Sequence, residues 1–329
     1  METLLPFERI QREIYVKRPA KTDDKFGKYP KDRTVKELLD ASVVNIDKPK
    51  GPTSHQVSAY LQKVLHINKS GHSGTLDPHV TGVLPIAIAR GTRIVQALLP
   101  AGKEYVGIMH IHKDIPFEKV EAVCKEFIGK IKQLPPIKSA VKRQIRQRKI
   151  YYLHILEVED KDVLFQVGCQ AGTYIRKLVH DIGQKLGCGA HMAQLRRTKA
   201  GGFNESTLTT LQDVGDAYHY YTEEGNEKYL KKLLLPIEEA VVHLGKIWIQ
   251  DSTVEALCHG RRLALPGVVK LESDICPHDM VAILSLKGEL VALGRATMSS
   301  KEMLDGEKGY CVDEMKVFME PGVYPKIEK

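Results

Sequence analysis

The sequence predicts a two-part protein. An α/β or α+β domain built on a mixed sheet comes first, and a small, mostly β, barrel-like domain follows. Three observations predict this. The 329 residues suggest about two domains at roughly 150 residues each. The composition, 43% hydrophobic and 27% charged, is that of a globular chain long enough to build a core without disulfides or a structural metal. Helical and strand periodicities interleave up to about residue 240, after which short strands and turns take over.

The elements follow in order. Residues 1–40 mix both charges with Pro19, Gly27 and Pro30, and read as an extended arm with little core of its own. Residues 42–47 read as a strand and Lys48-Pro49-Lys50-Gly51-Pro52 as a turn. A helix is expected next, with Thr53 or Ser54 as N-cap and Val57, Leu61, Val64 and Leu65 on one face. Residues 67–82 form a Gly-rich loop, and the apolar run 83–89 a buried strand. Residues 103–112 alternate as a strand, and 117–128 fit an amphipathic helix. Strands at 150–159 and 162–169 flank the polar turn Glu159-Asp160-Lys161, and 173–186 is helical. Residues 213–239 are acidic and Tyr-rich, as a helical surface segment would be. Beyond Pro236, short strands are expected at 246–250, 280–286, 289–296 and 310–319. The expected division is 1–40, 41–240 and 241–329.

Lys plus Arg number 49 and Asp plus Glu 41, a formal charge of +8 that favours a polyanionic partner. The six cysteines are scattered without CxxC spacing. That argues against a zinc ribbon and a secreted disulfide framework, and for reduced, mostly buried thiols. Met1 to Arg12 has no apolar segment of the signal-peptide kind. The longest apolar stretch, 83–99, is broken by Pro85, Arg90, Gly91 and Arg93 and is too short and charged to span a bilayer. A soluble, intracellular, cytoplasmic protein with no membrane partner is expected.

From Gly129 to Leu156 there is no acidic residue, while Lys130, Lys132, Lys138, Lys142, Arg143, Arg146, Arg148 and Lys149 are all present. Tyr151 and Tyr152 follow. A solvated charged face is the ordinary reading of such a run. Phosphate contacts beside stacking platforms are what an RNA surface needs, and the unrelieved charge favours that reading. Arg196, Arg197 and Lys199 add a second basic set.

In Gly71-His-Ser-Gly-Thr-Leu-Asp-Pro78 the glycines permit close backbone approach, and Pro78 biases Asp77 away from the helical region. A carboxylate held there suits a nucleophile or base, although Asp-Pro is also a common turn initiator. Gly172-Thr-Tyr-Ile-Arg176 opens a helix that Thr173 could cap. An arginine in that first turn can pair with a loop carboxylate and keep it ionised and oriented. His110 and His112 lack the companions of a metal site, and GxSxG, HExxH, GxGxxG and P-loop patterns are missing.

Together these segments resemble the TruB-like pseudouridine synthases, and specifically the dyskerin-type, RNA-guided branch. Five pieces occur in the family's order: Asn45 to Ser54, Gly71 to Pro78, Lys103-Glu-Tyr105, Gly172 to Arg176, and Leu195-Arg-Arg-Thr198. The C-terminal part, with Trp248, His259-Gly260, Pro266-Gly267 and Leu293-Gly294, resembles a PUA domain. The likeness covers about residues 40–325. It implies an α+β, mixed-sheet catalytic domain and a small β-barrel PUA domain, with the arm packing near the latter. It implies isomerisation of uridine to pseudouridine, which requires no cofactor. Asp77 is then the essential carboxylate, Tyr105 stacks on the uracil, and Arg176 holds Asp77. Tyr174 lines the pocket and Leu195 adds an apolar wall. His72 contacts RNA near the flipped base, and Lys48 with Pro49 supports the loop. His259 and Gly260 fall to the RNA-binding face of the PUA domain.

Two departures choose the branch. Val106 to Lys119 is short where stand-alone bacterial tRNA enzymes carry a longer acidic insertion, and Pro135 to Arg143 resembles the guided enzymes. Without the Lys-rich tails of eukaryotic dyskerins, the archaeal type fits. The implied partners are a box H/ACA guide RNA, target ribosomal RNA, small proteins of the Nop-ten and Gar-one types, and a kink-turn-binding protein. A stand-alone tRNA enzyme, a noncatalytic ribosome-assembly scaffold and a metal-dependent nuclease are the alternatives. The last lacks a carboxylate cluster, and a scaffold has no need of Asp77, Tyr105, Tyr174 and Arg176 together.

Overall fold

The structure is a computed structural model that describes residues 3–135 and 143–326. Two sheets organise it. The larger has ten strands. Its main path runs Leu235–Pro236, Ala41–Lys48, Thr81–Ala89, Ala190–Ala200, Lys103–Ile111, Asp162–Cys169, Arg146–Glu159 and Gly129–Gln133. Ser70–His72 pairs beside Thr81–Ala89, and Phe203–Asn204 beside Ala190–Ala200. The smaller sheet runs Ile14–Val16, Val268–Glu272, Gly245–Ile249, Met280–Leu284, Leu290–Ala296, Tyr310–Val317 and Leu263–Ala264.

The larger sheet is antiparallel except at one seam. There Thr81–Ala89 and Ala190–Ala200 run parallel and meet through only Thr81↔Arg196 and Gly82↔Arg197. On one side of the seam, Val44, Ile46, Leu84 and Ile86 pack against Val57 and Leu61 of the helix Ser54–Val64, and against Val214 and Ala217 of Leu211–Glu224. On the other side, Met109, Ile155, Phe165 and Val167 pack against Leu178, Val179 and Ile182 of the helix Ile175–Leu186. Each helix thus buries one stripe at 3.6-residue spacing against strands that alternate at two. A third cluster joins the sheets: Val43, Val83, Ala87 and Phe203 meet Ala282, Leu284, Leu290 and Leu293.

Local chemistry sets the ends. Thr53 and Gln56 form a reciprocal capping box on Ser54–Val64, and Gly187 closes Ile175–Leu186 in the left-handed region at φ 73°. Pro85 lies inside Thr81–Ala89, although proline cannot donate to a ladder. Its carbonyl accepts from Ser73 N at 3.0 Å, so its missing N–H faces the gap between Ser70–His72 and Ala190–Ala200.

Several expectations change. The Gly-rich loop contains the strand Ser70–His72. The basic run is two paired strands, with Gly129–Gln133 antiparallel to the start of Arg146–Glu159. Its lysines hid the period. The arm has core after all: Leu5 is fully buried, and Val35 and Leu38 are buried on a short helix, Val35–Asp40. Its strand Ile14–Val16 extends the smaller sheet. That sheet also gains Val268–Glu272 and the helices Asp251–Cys258 and Ser300–Asp305. Among the described residues, no helix is long and apolar enough to cross a membrane.

Gly82 sits at the seam with φ +99°, and a Cβ there would lie 2.2 Å from the Arg197 carbonyl oxygen. Gly82→Ala should therefore cost about 3 kcal/mol or more of stability, read as a lowered melting temperature; an unchanged melt would contradict the seam geometry.

Candidate active site

The loop after Ser70–His72 is pinned on both sides of Asp77. Ahead of it, Leu76 N donates to Ser54 Oγ at 2.8 Å. Behind it, the fully buried Lys48 ammonium donates to the carbonyls of Pro49 (2.9 Å), Pro78 (3.2 Å) and Val80 (2.9 Å). Gly51 N bonds to the Pro78 carbonyl at 2.9 Å. Leu76 and Val80 are buried in the same cluster as Tyr105, Leu195 and Ile175. Asp77 therefore projects into solvent from between two anchored apolar residues, with its side chain half exposed. Burial pushes the Lys48 ammonium below its ordinary pKa, against the pull of the Asp77 charge.

Arg176 comes from the first turn of Ile175–Leu186 and donates through Nη2 to Asp77 Oδ2 at 2.5 Å. Both side chains are over half exposed, so the pair adds little to stability and serves to orient the carboxylate. Tyr174, half-buried, holds the N-cap position. Thr173 is not the cap: its hydroxyl donates back to the Gln170 carbonyl at 2.6 Å.

Tyr105 and Leu195, each about 9% exposed, form the floor beside Asp77. Burial raises the Tyr105 phenol pKa, opposed by the neighbouring Arg197 cation. Arg197, 1% exposed, donates to the Val83 carbonyl at 2.7 Å and the Gly74 carbonyl at 3.4 Å. It ties the loop to the seam, and it cannot lie on an RNA surface as expected. Its neighbour Arg196 points the other way, into a bidentate pair with Asp47 at 3.0 and 3.1 Å and a bond to Glu205 at 2.6 Å. His72 has both ring nitrogens buried without a hydrogen-bond partner and packs edge-on to His55. Burial, His55 and Arg197 hold it down to a pKa of about 4.

Arg143 is exposed just ahead of the strand Arg146–Glu159. Within that strand Gln147 and Lys149 are exposed, whereas Arg146 and Arg148 are half-buried on the face of the buried Ile150, with both Nε atoms out of solvent. Lys138 and Lys142 lie outside the described residues. Tyr152 is no stacking platform. It is 3% exposed, and its hydroxyl bonds to Glu104 and to the Thr3 carbonyl, because alternation turns it inward. His259 and Gly260 are exposed at the end of Asp251–Cys258, with His259 Nε2 at 3.1 Å from Glu255. Among the described residues, no three His, Cys, Asp or Glu side chains are arranged to hold a metal ion. His110 bonds to Asp162, and His112 to His191. Sequence reasoning passed over Lys103, Arg197 and Gln133 as parts of the site's frame. For Lys103 the signal was a charge at a core position of a strand. It is 5% exposed and held by three carbonyls, and burial lowers its pKa to about 7.

Two outcomes follow from this frame. Lys48→Met removes the ammonium from the Pro49 and Val80 carbonyls and leaves Pro78 with Gly51 N alone, and should cost on the order of 3 kcal/mol in a melt and loosen the Asp77 loop. For His72 the folded pKa is depressed below the unfolded 6.5. The unfolded chain then takes a proton that the folded one refuses, so stability is full above that value and is lost as pH falls towards about 4. His72→Asn should flatten that acid-side loss by on the order of 1–2 kcal/mol; unfolding curves at stepped pH check it, and an unchanged slope would remove His72 as the cause.

Comparison with known proteins gives the same arrangement. Residues 62–116 and 111–175 match the TruB family pseudouridylate synthase N-terminal domain, 176–242 the tRNA pseudouridylate synthase B C-terminal domain, 245–318 the PUA domain and 4–58 the DKCLD domain. A Methanopyrus kandleri protein named probable tRNA pseudouridine synthase B is 55% identical over 322 residues, covering 98% of this chain and 95% of the relative. One of the same name from Pyrococcus furiosus is 53% identical, covering 98% and 96%. A chain of a Cbf5-Nop10-Gar1 complex superposes with TM-score 0.95 at 53% identity, covering 98% of this chain and 99% of that one. A chain of an H/ACA RNP bound to a substrate RNA containing 2'-deoxyuridine gives TM-score 0.93 at 51% identity, covering 99% and 100%. This chain belongs to the TruB family of pseudouridylate synthases.

Proposed function

We propose that this chain is the catalytic subunit of a box H/ACA RNA-guided pseudouridine synthase acting on ribosomal RNA. Its partners on this reading are the guide RNA, proteins of the Nop10 and Gar1 types and a kink-turn-binding protein. The observation that carries the guided reading is near-end-to-end likeness to the chains of the Cbf5-Nop10-Gar1 complex and the RNA-bound particle. The short passage from Lys103–Ile111 to the helix Phe117–Lys125 supports it, because it leaves no room for a long insertion. The three-part division at about residues 40 and 240 belongs to the same proposal, as does a cytoplasmic setting in an archaeal-type cell.

The chemistry is an isomerisation. The N1–C1′ bond breaks, the base turns, and C1′ bonds to C5. C5 gives up a proton and N1 gains one, so no oxidant, energy donor or cofactor is needed. The target nucleotide must leave its stack to reach Asp77. Asp77 is the reacting carboxylate, and its projection from an anchored loop holds it ready without reorganisation. Arg176 orients it. Tyr105 offers its ring to the detached uracil, and Leu195 with Tyr174 walls the pocket against water. Arg143, His259 and Gly260 form the exposed set that would meet RNA, with Arg146 and Arg148 half-buried beside it.

The test is nucleoside analysis of ribosomal RNA and tRNA transcripts, with and without a guide RNA and the small proteins. Pseudouridine only with guide and partners is expected. Product in tRNA from the lone chain would favour the stand-alone reading that the relatives' names carry. Asp77→Asn should lose at least on the order of 1,000-fold in turnover while RNA affinity stays within about threefold; retained turnover would sink the assignment of Asp77.

A further inference from the structure

The helix that brings Arg176 to Asp77 starts without a side-chain cap of its own. Such a helix leaves its first N–H groups unpaired and its first turn free to fray. Here the missing restraint comes from another strand. Gln133, 2% exposed, ends Gly129–Gln133, and its carboxamide grips the backbone of Tyr174 from both sides. Its Oε1 accepts from Tyr174 N–H at 3.0 Å, and its Nε2 donates to the Tyr174 carbonyl at 3.1 Å. That same carbonyl accepts the first bond of the helix, from Leu178 N at 2.9 Å. One amide side chain therefore sets the backbone of the residue that lines the pocket and the start of the turn that carries Arg176.

Gln133 also belongs to the basic strands. Arg146 is its cross-strand partner. Two residues on, the Arg148 guanidinium packs over Gly172, 3.1 Å from where a Cβ would stand. The strands bearing the cationic surface are thus fastened to the start of the catalytic helix at two neighbouring points, and one of them is a buried, fully paired amide. A buried amide must keep both bonds or lose the desolvation free energy of each, so the two parts shift together or not at all.

We propose that Gln133 is a positioning residue. It couples the seating of RNA on the basic strands to the alignment of Tyr174 and Arg176 with Asp77. This turns contacts remote from the reacting bond into correct placement at it. The proposal rests on the reading of Asp77, Tyr174 and Arg176 as the reaction site.

Two variants in the reconstituted particle test it. Gln133→Met keeps the length and fills the space but loses both bonds. Gln133→Glu keeps an acceptor for Tyr174 N–H and sets a second oxygen against the Tyr174 carbonyl. Single-turnover pseudouridine formation should fall on the order of 10- to 100-fold in both. RNA affinity should stay within about twofold. The lost buried bonds should lower the melting temperature by a few degrees while the variant stays folded at the assay temperature, so the loss sits in kcat and not in KM. If Gln133→Met does not fold, Gln133→Glu alone decides by the same split. Wild-type turnover in a folded variant, or a loss explained wholly by weaker RNA binding, overturns the proposal. A wild-type particle that makes no pseudouridine would count instead against the function proposed above.

Discussion

The molecule depends on how one buried guanidinium closes a seam. The parallel strands Thr81–Ala89 and Ala190–Ala200 share only two residue pairs, and beyond them the ladder is open. An open ladder inside a protein leaves carbonyls without donors, each costing about 1–3 kcal/mol. Arg197 answers this by reaching from its strand to the Val83 carbonyl and on to Gly74. Pro85 answers it from the other side by having no N–H to leave unpaired. The seam keeps the larger sheet continuous through those two pairs. The Asp77 loop lies along that line, with Leu76 and Val80 in the cluster that holds Tyr105 and Leu195. Without the guanidinium the loop loses its tie from Gly74 to the seam.

The frame of the site is cationic, and its cations are held by backbone dipoles. Lys48 and Lys103 are each satisfied by three carbonyl oxygens, and Arg197 by two. Burial lowers the pKa of all three. Carbonyls neutralise less charge than carboxylates do, so the field of these groups is left to act on what lies above them. Above Lys48 lies Asp77, and its charge is felt there. A carboxylate set over such a floor stays attractive to arginine and tolerable to an approaching phosphodiester. Arg176, more than half exposed, remains free to adjust when RNA arrives.

The sequence made the Asp77 loop readable because glycine and proline restrict backbone by their covalent structure, whatever surrounds them. The helix of Arg176 and the strand of Tyr105 were readable by period and by family likeness. What escaped was set by facing, which a dipeptide does not show. Arg196 and Arg197 look alike in sequence, yet alternation sends one to Asp47 at the surface and the other into the seam. Tyr151 and Tyr152 follow the same rule, and Tyr152 turns inward to Glu104. Gln133 carried no local signal, because its partner is 41 residues away and a glutamine among lysines reads as surface. Thr173 looked like a cap because threonine is a good one. A better-placed amide from another strand had taken the task.

The arm shows how the same physics joins the two sheets. Its first residues lie on the larger sheet, where Glu8 meets Lys199 at 3.0 Å and the Thr3 carbonyl accepts from Tyr152. Its strand Ile14–Val16 then pairs with Val268–Glu272 of the smaller sheet. Further on, Arg33 makes a bidentate pair with Glu238, both bonds 2.8 Å, and Glu238 also accepts from Leu290 N at 2.8 Å. Exposed ion pairs of this kind would contribute little, but here both partners are largely buried and the geometry is fork to carboxylate, which favours specificity of placement over raw stability. Together with the apolar cluster that runs from Val43 to Leu293, these contacts set the exposed end of Asp251–Cys258 in a defined relation to Asp77. An enzyme whose substrate position is chosen by a separate RNA needs that relation. On the function proposed above, RNA held at His259 and Gly260 would bring one nucleotide to Asp77 only if the protein between the two points behaves as a ruler.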